Sequence, residues 1–285
     1  MMDKKIYETG VFPTWCPGCG NFGIWNALKR AYAELELNPK NIFMVFGIGC
    51  SGNGVNFFNC YSFHALHGRT LPVATGARLA NHELNVIAAG GDGDGYGIGV
   101  GHFIHSLRRN LNITYIVHNN QVYGLTTGQT SPTSSRGFKT KSTPTGVIEQ
   151  PVNPIALAID CGGTFIARGY SGDMPGLAKI FVEAIKHVGF SLVDVLQPCV
   201  TWNKVNTYAW YKDRVYKLEG AGHDFTNKDE AYKKAWEWGE KIPTGIFYKV
   251  EQPTYESELP QIAKTPLFKH DISSVNIAEI LNEFY

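Results

Sequence analysis

Residues 86 to 125 constrain this chain more than any other stretch. They read VIAAGGDGDGYGIGVGHFIHSLRRNLNITYIVHNNQVYGL, two short apolar runs separated by glycines and a helical segment. Val86 to Ala89 stops at Gly90-Gly91-Asp92-Gly93-Asp94-Gly95, and Ile113 to Val117 stops at His118-Asn119-Asn120. With a helix over Ile98 to Arg109 between them, the two runs become parallel strands joined by a crossover. Their C-terminal tips then lie side by side. Asp92 and Asn120, 28 residues apart, are expected to meet at the sheet edge where open α/β folds bind their ligands.

The chemistry such an edge suits is a magnesium ion holding a diphosphate. Mg²⁺ takes oxygen ligands in near-octahedral geometry, usually one or two protein groups together with phosphate oxygens. The glycines let backbone N–H groups approach the phosphates, and the following helix offers its N-terminus to the same anion. The expected metal ligands are the carboxylate of Asp92, the side chain of Asn120 and the carbonyl of Val122. A GDG turn alone more often just connects two elements; the Asn pair one crossover later tips the balance toward a site.

Composition bounds the rest. With 285 residues the chain holds one large α/β domain, or one domain plus an extension, and 44% hydrophobic and 13% aromatic residues can fill its core. A formal charge of +1, without a basic patch interleaved with aromatics, gives no case for nucleic acid. No apolar run approaches a membrane span, and MMDKKIYETG has no signal-peptide core, so a cytoplasmic protein without membrane contact is expected. Six cysteines spread over this length do not make a secreted disulfide framework; they are expected to be free, catalytic or metal-bound.

Cys16 and Cys19 sit in the C-x-x-C turn of TWCPGCG, which suits zinc, an iron–sulfur cluster or a dithiol redox pair and does not choose among them. Cys50 follows the strand Ile42 to Phe46 in a second glycine loop, where a small buried hydrophobe is its plainest reading. Cys199 follows the apolar run Ser191 to Leu196. Strand-end loops and the N-terminal turn can bring these four thiols to one side of the sheet, and four thiolates are what a [4Fe–4S] cluster requires.

GDG followed by NN resembles the thiamine diphosphate motif. Over about residues 12 to 215 the blocks WCPGCGN, GIGCSG, HGRTLPVATG, GGDGDGYGIG, HNNQVYGLTTGQTSPTS and QPCVTWN resemble, in that order, the β subunit of 2-oxoacid:ferredoxin oxidoreductases. The resemblance implies a thiamine diphosphate- and Mg²⁺-binding α/β domain over residues 1–200 and an extension over 201–285 that packs on the domain or a partner subunit. It implies a [4Fe–4S] cluster on Cys16, Cys19, Cys50 and Cys199. Ile48, Gly49, Cys50, Ser51 and His67 are implied to contact thiamine diphosphate, Gly93 and Asp94 its phosphates, and Gly124 and Leu125 the region of the thiazolium. Without the resemblance, His67 beside Arg69 reads as a turn cap. The activity implied is oxidative decarboxylation of a 2-oxoacid to acyl-coenzyme A and CO₂, with electrons passing through the cluster to ferredoxin. The carboxylate that activates the aminopyrimidine is expected from an α subunit, because this chain has no second crossover series, and the chain alone is expected to be inactive.

Substrate markers conflict. Leu125 stands where pyruvate-specialised relatives tend to carry asparagine, favouring a broad or 2-oxoglutarate preference. Asn53 and Thr127 replace basic residues common in that branch, which removes a cation for a distal carboxylate. Two rivals keep part of the reading: a non-redox thiamine decarboxylase with structural zinc on the cysteines, and a cluster-bearing electron-transfer subunit with a degenerate cofactor loop.

The remaining sequence supports a doubly wound α/β fold with a mostly parallel sheet. A helix is expected from Asn21 to Leu37, another near Pro154 to Ile159, a strand at Thr164 to Ala167 and a helix at Pro175 to His187. The polar, proline-bearing stretch 126–153 is expected to line the site's mouth or touch a partner. Beyond Cys199 the alternation stops, and helices are expected over Lys228 to Lys241 and Ser274 to Tyr285, joined by a proline-rich connector. Cys60 and Cys161 read as packing residues, and His64, His102 and His105 as core or surface histidines. Basic residues 204 to 217 read as solvated charges over apolar stems, with docking of an acidic ferredoxin as the sharper alternative.

Overall fold

Apolar runs alternating with amphipathic helices wind twice around one sheet in this computed structural model, which describes residues 2–273 and 275–285. In chain order the elements are α1 (Asn21–Glu34), β1 (Ile42–Phe46), β2 (Tyr61–His64), α2 (Thr70–Ala80), β3 (Asn85–Gly91), α3 (Val100–Arg109) and β4 (Thr114–Asn119). The short β5 (Val122–Tyr123) and β6 (Gln129–Thr130) form a separate antiparallel pair. There follow α4 (Pro154–Asp160), β7 (Phe165–Tyr170), α5 (Met174–Lys186), β8 (Ser191–Leu196), α6 (Tyr208–Lys212), β9 (Val215–Lys217), α7 (Lys228–Ala235), β10 (Ile242–Lys249) and α8 (Ala278–Asn282). Eight strands make the main sheet in the order β2-β1-β3-β4-β8-β7-β10-β9. Its pairings are parallel except that of β10 with β7.

Strand alternation divides the core between the two faces. Met44 and Phe46 of β1, Phe165 and Ala167 of β7, and Val193 and Val195 of β8 point to the side covered by α1 and α5. Val45, Ile166 and Leu192 point the other way, onto Leu71 of α2, Phe103 and Leu107 of α3, Ile159 of α4 and Ala231 of α7. Each such side chain, wholly withdrawn from water, contributes about 1.5–3 kcal/mol. Local signals set the helix ends: Asn153 and Asp173 cap α4 and α5 through hydrogen bonds to Ala156 and Gly176 N–H, each with proline in the first turn. Asn110, in the left-handed region, closes α3.

From β1 the chain runs outward to β2 and then crosses back to β3 on the other side of β1. Loops leaving β1 and β3 therefore diverge, opening a crevice at the C-terminal sheet edge.

Three expectations need correction. The helix expected over Ile98 to Arg109 starts at Val100, after a π-helical turn, Gly93–Ile98. The helix expected over Lys228 to Lys241 ends at Ala235, and the strand β10 starts at Ile242. Pro243 and Gly245, the latter at φ 121°, give β10 the look of a connector, which is why the pattern hides it. At the C-terminus only Ala278–Asn282 is helical within the expected span, and Ser274 lies outside the described residues. Helix α2 carries Pro72 and Gly76, breakers that mask it in the sequence.

Candidate active site at the sheet edge

In parallel register Gly91 of β3 faces His118 of β4, and Asn119 faces Leu196 of β8. Asp92, Asn120 and Gln197, each just beyond these pairs, consequently emerge together. They line a cavity of about 280 Å³ with Ile48, Gly49, Cys50, Ser51, His67, Gly93, Asp94, Val122, Gly124 and Leu125. The structure thus gathers all twelve residues expected to contact cofactor or magnesium into one cavity. Its volume falls just under the roughly 300–1,000 Å³ usual for small-molecule sites.

Asp92 is 1% exposed and held from behind. Ser131 Oγ and Thr133 Oγ1 each donate to its Oδ2 at 2.5 Å, and among the described residues no hydroxyl bonds to Oδ1. Burial pushes its carboxyl above the usual carboxylate range, against the opposing pull of these hydroxyls and of the Asp92 and Gly93 N–H groups. Thr133 Oγ1 also lies 3.0 Å from Asn119 Oδ1, and Asn119 Nδ2 donates to the buried Asp194. Asp194 in turn accepts from Tyr96 at 2.9 Å, and burial raises it to about 6 despite Arg168. The first part of stretch 126–153 therefore braces the Asp92 carboxylate, a role that the sequence did not suggest.

Asn120 is fixed by a backbone donor: Val122 N–H donates to its Oδ1 at 3.0 Å, which obliges Nδ2 to face Gln197 Oε1, also at 3.0 Å. One Oδ1 lone pair remains for the cavity. Asp94 is differently employed from what was expected of it. Its carboxylate accepts from Ile48 N–H at 3.1 Å, Gly68 N–H at 2.8 Å and Thr70 Oγ1 at 3.0 Å, tying together the loops after β1 and β2. What Asp94 has left for a phosphate is its main chain, at the start of the π-helical turn. Among the described residues, two buried polar atoms of the cavity have no hydrogen-bonding partner: Ser51 Oγ, and His67 Nδ1, which lies 3.0 Å from Asp94 Oδ1 but out of line for a bond. A buried hydroxyl with no partner fits a bound polar ligand.

The four expected cluster cysteines occupy one patch beside this cavity. Gly20 N–H donates to Pro198 carbonyl at 3.2 Å, docking the C-x-x-C turn on the Cys199 loop, and Trp15 Nε1 donates to the Cys50 carbonyl at 2.7 Å. Burial pushes the Cys19 thiol up to about 12, with further upward pushes from Cys199, Cys50 and Cys16, and the Cys50 thiol up to about 11. As free thiols these would stay protonated and inert; a cationic iron centre is what would make them thiolates. Gly124 stands between cavity and patch: a Cβ there would sit 3.5 Å from Cys50 Sγ and 3.7 Å from Cys199 Sγ, in space a cluster would need. Trp15, Phe22 and Phe57 pack around the buried Cys19 and against Cys50, which stays half-buried at the cavity. Among the described residues no three Cys, His, Asp or Glu side chains converge as for a single ion. A site here needs a larger group, or one bringing oxygens of its own.

Cys60 and Cys161 lie apart, packed against the two core faces. His102 meets Arg69 at 3.0 Å, and burial lowers its pKa. Among the described residues no helix is long and apolar enough to cross a membrane.

Comparison with known proteins agrees with this geometry. Residues 47–195 match the family model of the thiamine pyrophosphate enzyme, C-terminal TPP binding domain, and residues 199–264 match the model of the C-terminal part of the pyruvate ferredoxin oxidoreductase β subunit. The chain is 50% identical over 266 residues to the β subunit of 2-oxoacid:ferredoxin oxidoreductase 1 of Aeropyrum pernix, covering 90% of this chain and 84% of that one. It is 50% identical over 260 residues to the 2-oxoacid:ferredoxin oxidoreductase β subunit of Saccharolobus solfataricus, covering 87% and 85%. The 2-oxoglutarate:ferredoxin oxidoreductase from Magnetococcus marinus, solved with 2-oxoglutarate, coenzyme A and succinyl-CoA bound, superimposes with a TM-score of 0.91 at 39% identity over 100% of this chain and 96% of that one. With a thiamine diphosphate-binding fold, a site at the tips of its central strands and these relatives, the chain belongs to the β subunits of the 2-oxoacid:ferredoxin oxidoreductases.

Proposed function

We propose that this β subunit holds Mg²⁺ through Asp92, Asn120 and the Val122 carbonyl and a [4Fe–4S] cluster through Cys16, Cys19, Cys50 and Cys199. With an α subunit it would convert a 2-oxoacid and coenzyme A to acyl-coenzyme A and CO₂, delivering electrons to ferredoxin. The observation that carries this reading is a shared wall: Gly124 and Cys50 both line the cavity, and a Cβ on Gly124 would sit 3.5 Å from Cys50 Sγ and 3.7 Å from Cys199 Sγ. When bound, thiamine diphosphate supplies a carbanion for the keto carbon and an electron sink, and the cluster supplies one-electron acceptance.

The chain's own residues do the positioning. Ser131 and Thr133 orient the Asp92 carboxylate, Val122 N–H orients Asn120, and Asp94 shapes the loop that presents Gly49, Cys50 and Ser51. Gly49, at φ 135°, makes the turn that only glycine takes without strain, so the Ser51 hydroxyl reaches the cavity. Apolar side chains stand exposed at this face: Leu125, which lines the cavity, is 50% exposed, and Leu66, next in sequence to the lining His67, is 78% exposed. An α subunit seated on this face would exclude water and bring the missing carboxylate.

Anaerobic purification of the αβ complex tests the proposal, with iron and sulfide analysis, Mg²⁺-dependent thiamine diphosphate binding, and a panel of 2-oxoacids with coenzyme A and ferredoxin. Four irons per β chain and 2-oxoacid-dependent ferredoxin reduction are expected, with none from β alone. Colourless protein containing zinc, or turnover without α, would refute it. The panel also decides between 2-oxoglutarate, pyruvate and broad use.

A further inference from the structure

Gln197 lies between the two cofactor sites and touches a proposed ligand of each. It is 1% exposed, and its amide makes three bonds: Oε1 accepts from Asn120 Nδ2 at 3.0 Å, while Nε2 donates to Pro198 carbonyl at 3.1 Å and to Cys19 Sγ at 3.3 Å. The orientation of this amide is fixed from both ends. Pro198 carbonyl can only accept, so nitrogen must face it; Val122 N–H can only donate, so Asn120 must present its own nitrogen to Gln197 oxygen. The N–H group aimed at Cys19 is thus dictated by two backbone groups, on opposite sides of the bridge.

We propose that Gln197 is a positioning residue for both centres, holding the magnesium ligand Asn120 with its oxygen and setting the reduction potential of the cluster with an N–H···S bond to Cys19. The inference rests on the proposed ligation by Asn120 and Cys19. A hydrogen bond to a ligating sulfur withdraws electron density and favours the reduced, more negative cluster, so it raises the potential. Gly20 lies against the Gln197 side chain: a Cβ there would fall 2.7 Å from Gln197 Cγ, so glycine is what admits the amide at this position.

Two substitutions in the anaerobically purified αβ complex separate the two bonds. Gln197→Glu keeps an acceptor for Asn120 and removes the donor to Cys19. Its cluster potential, read by EPR-monitored redox titration, should move negative, the reduced-to-oxidised ratio at fixed poise falling on the order of tenfold, or about 59 mV for a one-electron couple. Because Asn120 keeps its acceptor, its Mg²⁺-dependent thiamine diphosphate affinity should fall less than that of Gln197→Met. Gln197→Met, similar in length and uncharged, removes both bonds, and both readouts should move; it also decides the matter if the glutamate variant loses its cluster. A potential equal to the native one in whichever variant retains the cluster would overturn the inference. Absence of a [4Fe–4S] signal in the native complex would instead strike the ligation on which it rests.

Discussion

Replacing Thr133 by valine removes one hydroxyl and keeps the branched shape. That hydroxyl donates to Asp92 Oδ2 at 2.5 Å in a setting where Asp92 is almost wholly buried. A hydrogen bond to a charged group contributes about 1.5–3 kcal/mol, and each 1.4 kcal/mol is about tenfold in an equilibrium constant. Without it the carboxylate has Ser131 as its sole hydroxyl donor, its pKa rises further, and a proton competes better with the metal. Mg²⁺ should therefore bind roughly ten- to a hundredfold more weakly, the range usual for lost partners of metal ligands. The assay is a Mg²⁺ titration of thiamine diphosphate binding to the αβ complex by calorimetry. Thr133→Ser, which restores the hydroxyl, should return the titration close to native. A valine variant that folds normally and keeps the native Mg²⁺ midpoint would show that Thr133 does not brace a metal ligand.

Gly124→Val should lower iron per chain severalfold, since its branches would push into the space beside Cys50 and Cys199, and iron analysis with visible absorption reads the loss. Cys199→Ser should abolish the cluster spectrum, whereas Cys60→Ser, packed against the α1 face, should leave it intact. Acid should destabilise the fold below about pH 6.5. Burial lowers His118 to about 3 and His187 to about 4, so between those values and 6.5 the unfolded chain binds protons that the folded chain does not, and stability falls as pH drops. Asp194, raised to about 6, binds its proton earlier in the folded state and works the other way between about pH 4 and 6. Down to pH 5 each histidine contributes about 2 kcal/mol, so the two together outweigh it, and denaturant melts at pH 7 and 5 measure the difference.

The central crossover is legible in the sequence because Asp92 and Asn120 each end an apolar run, and strand tips in parallel register must meet. The groups behind them are not. Ser131 and Thr133 reach Asp92 through a loop without periodicity, and Asp194 and Gln197 sit in a strand and at its tip, where the sequence alone reads only continuous burial. Asp94 shows the opposite limit: glycines around an acidic residue suggest a phosphate loop, yet its carboxylate is committed to Ile48, Gly68 and Thr70. Composition cannot say whether an acid serves the ligand or the scaffold, because that depends on which backbone N–H groups arrive from other loops.

The reversed strand β10 has a consequence for how the molecule can be cut. Residues 165–170 are buried throughout, and their outer ladder is completed by Gly245–Lys249 across a bulge. A fragment ending near residue 200 would present that apolar ribbon with half of its peptide groups unsatisfied, an invitation to intermolecular pairing. Residues 201–285 are on this account the selvedge of the sheet, and the piece without them should precipitate rather than fold.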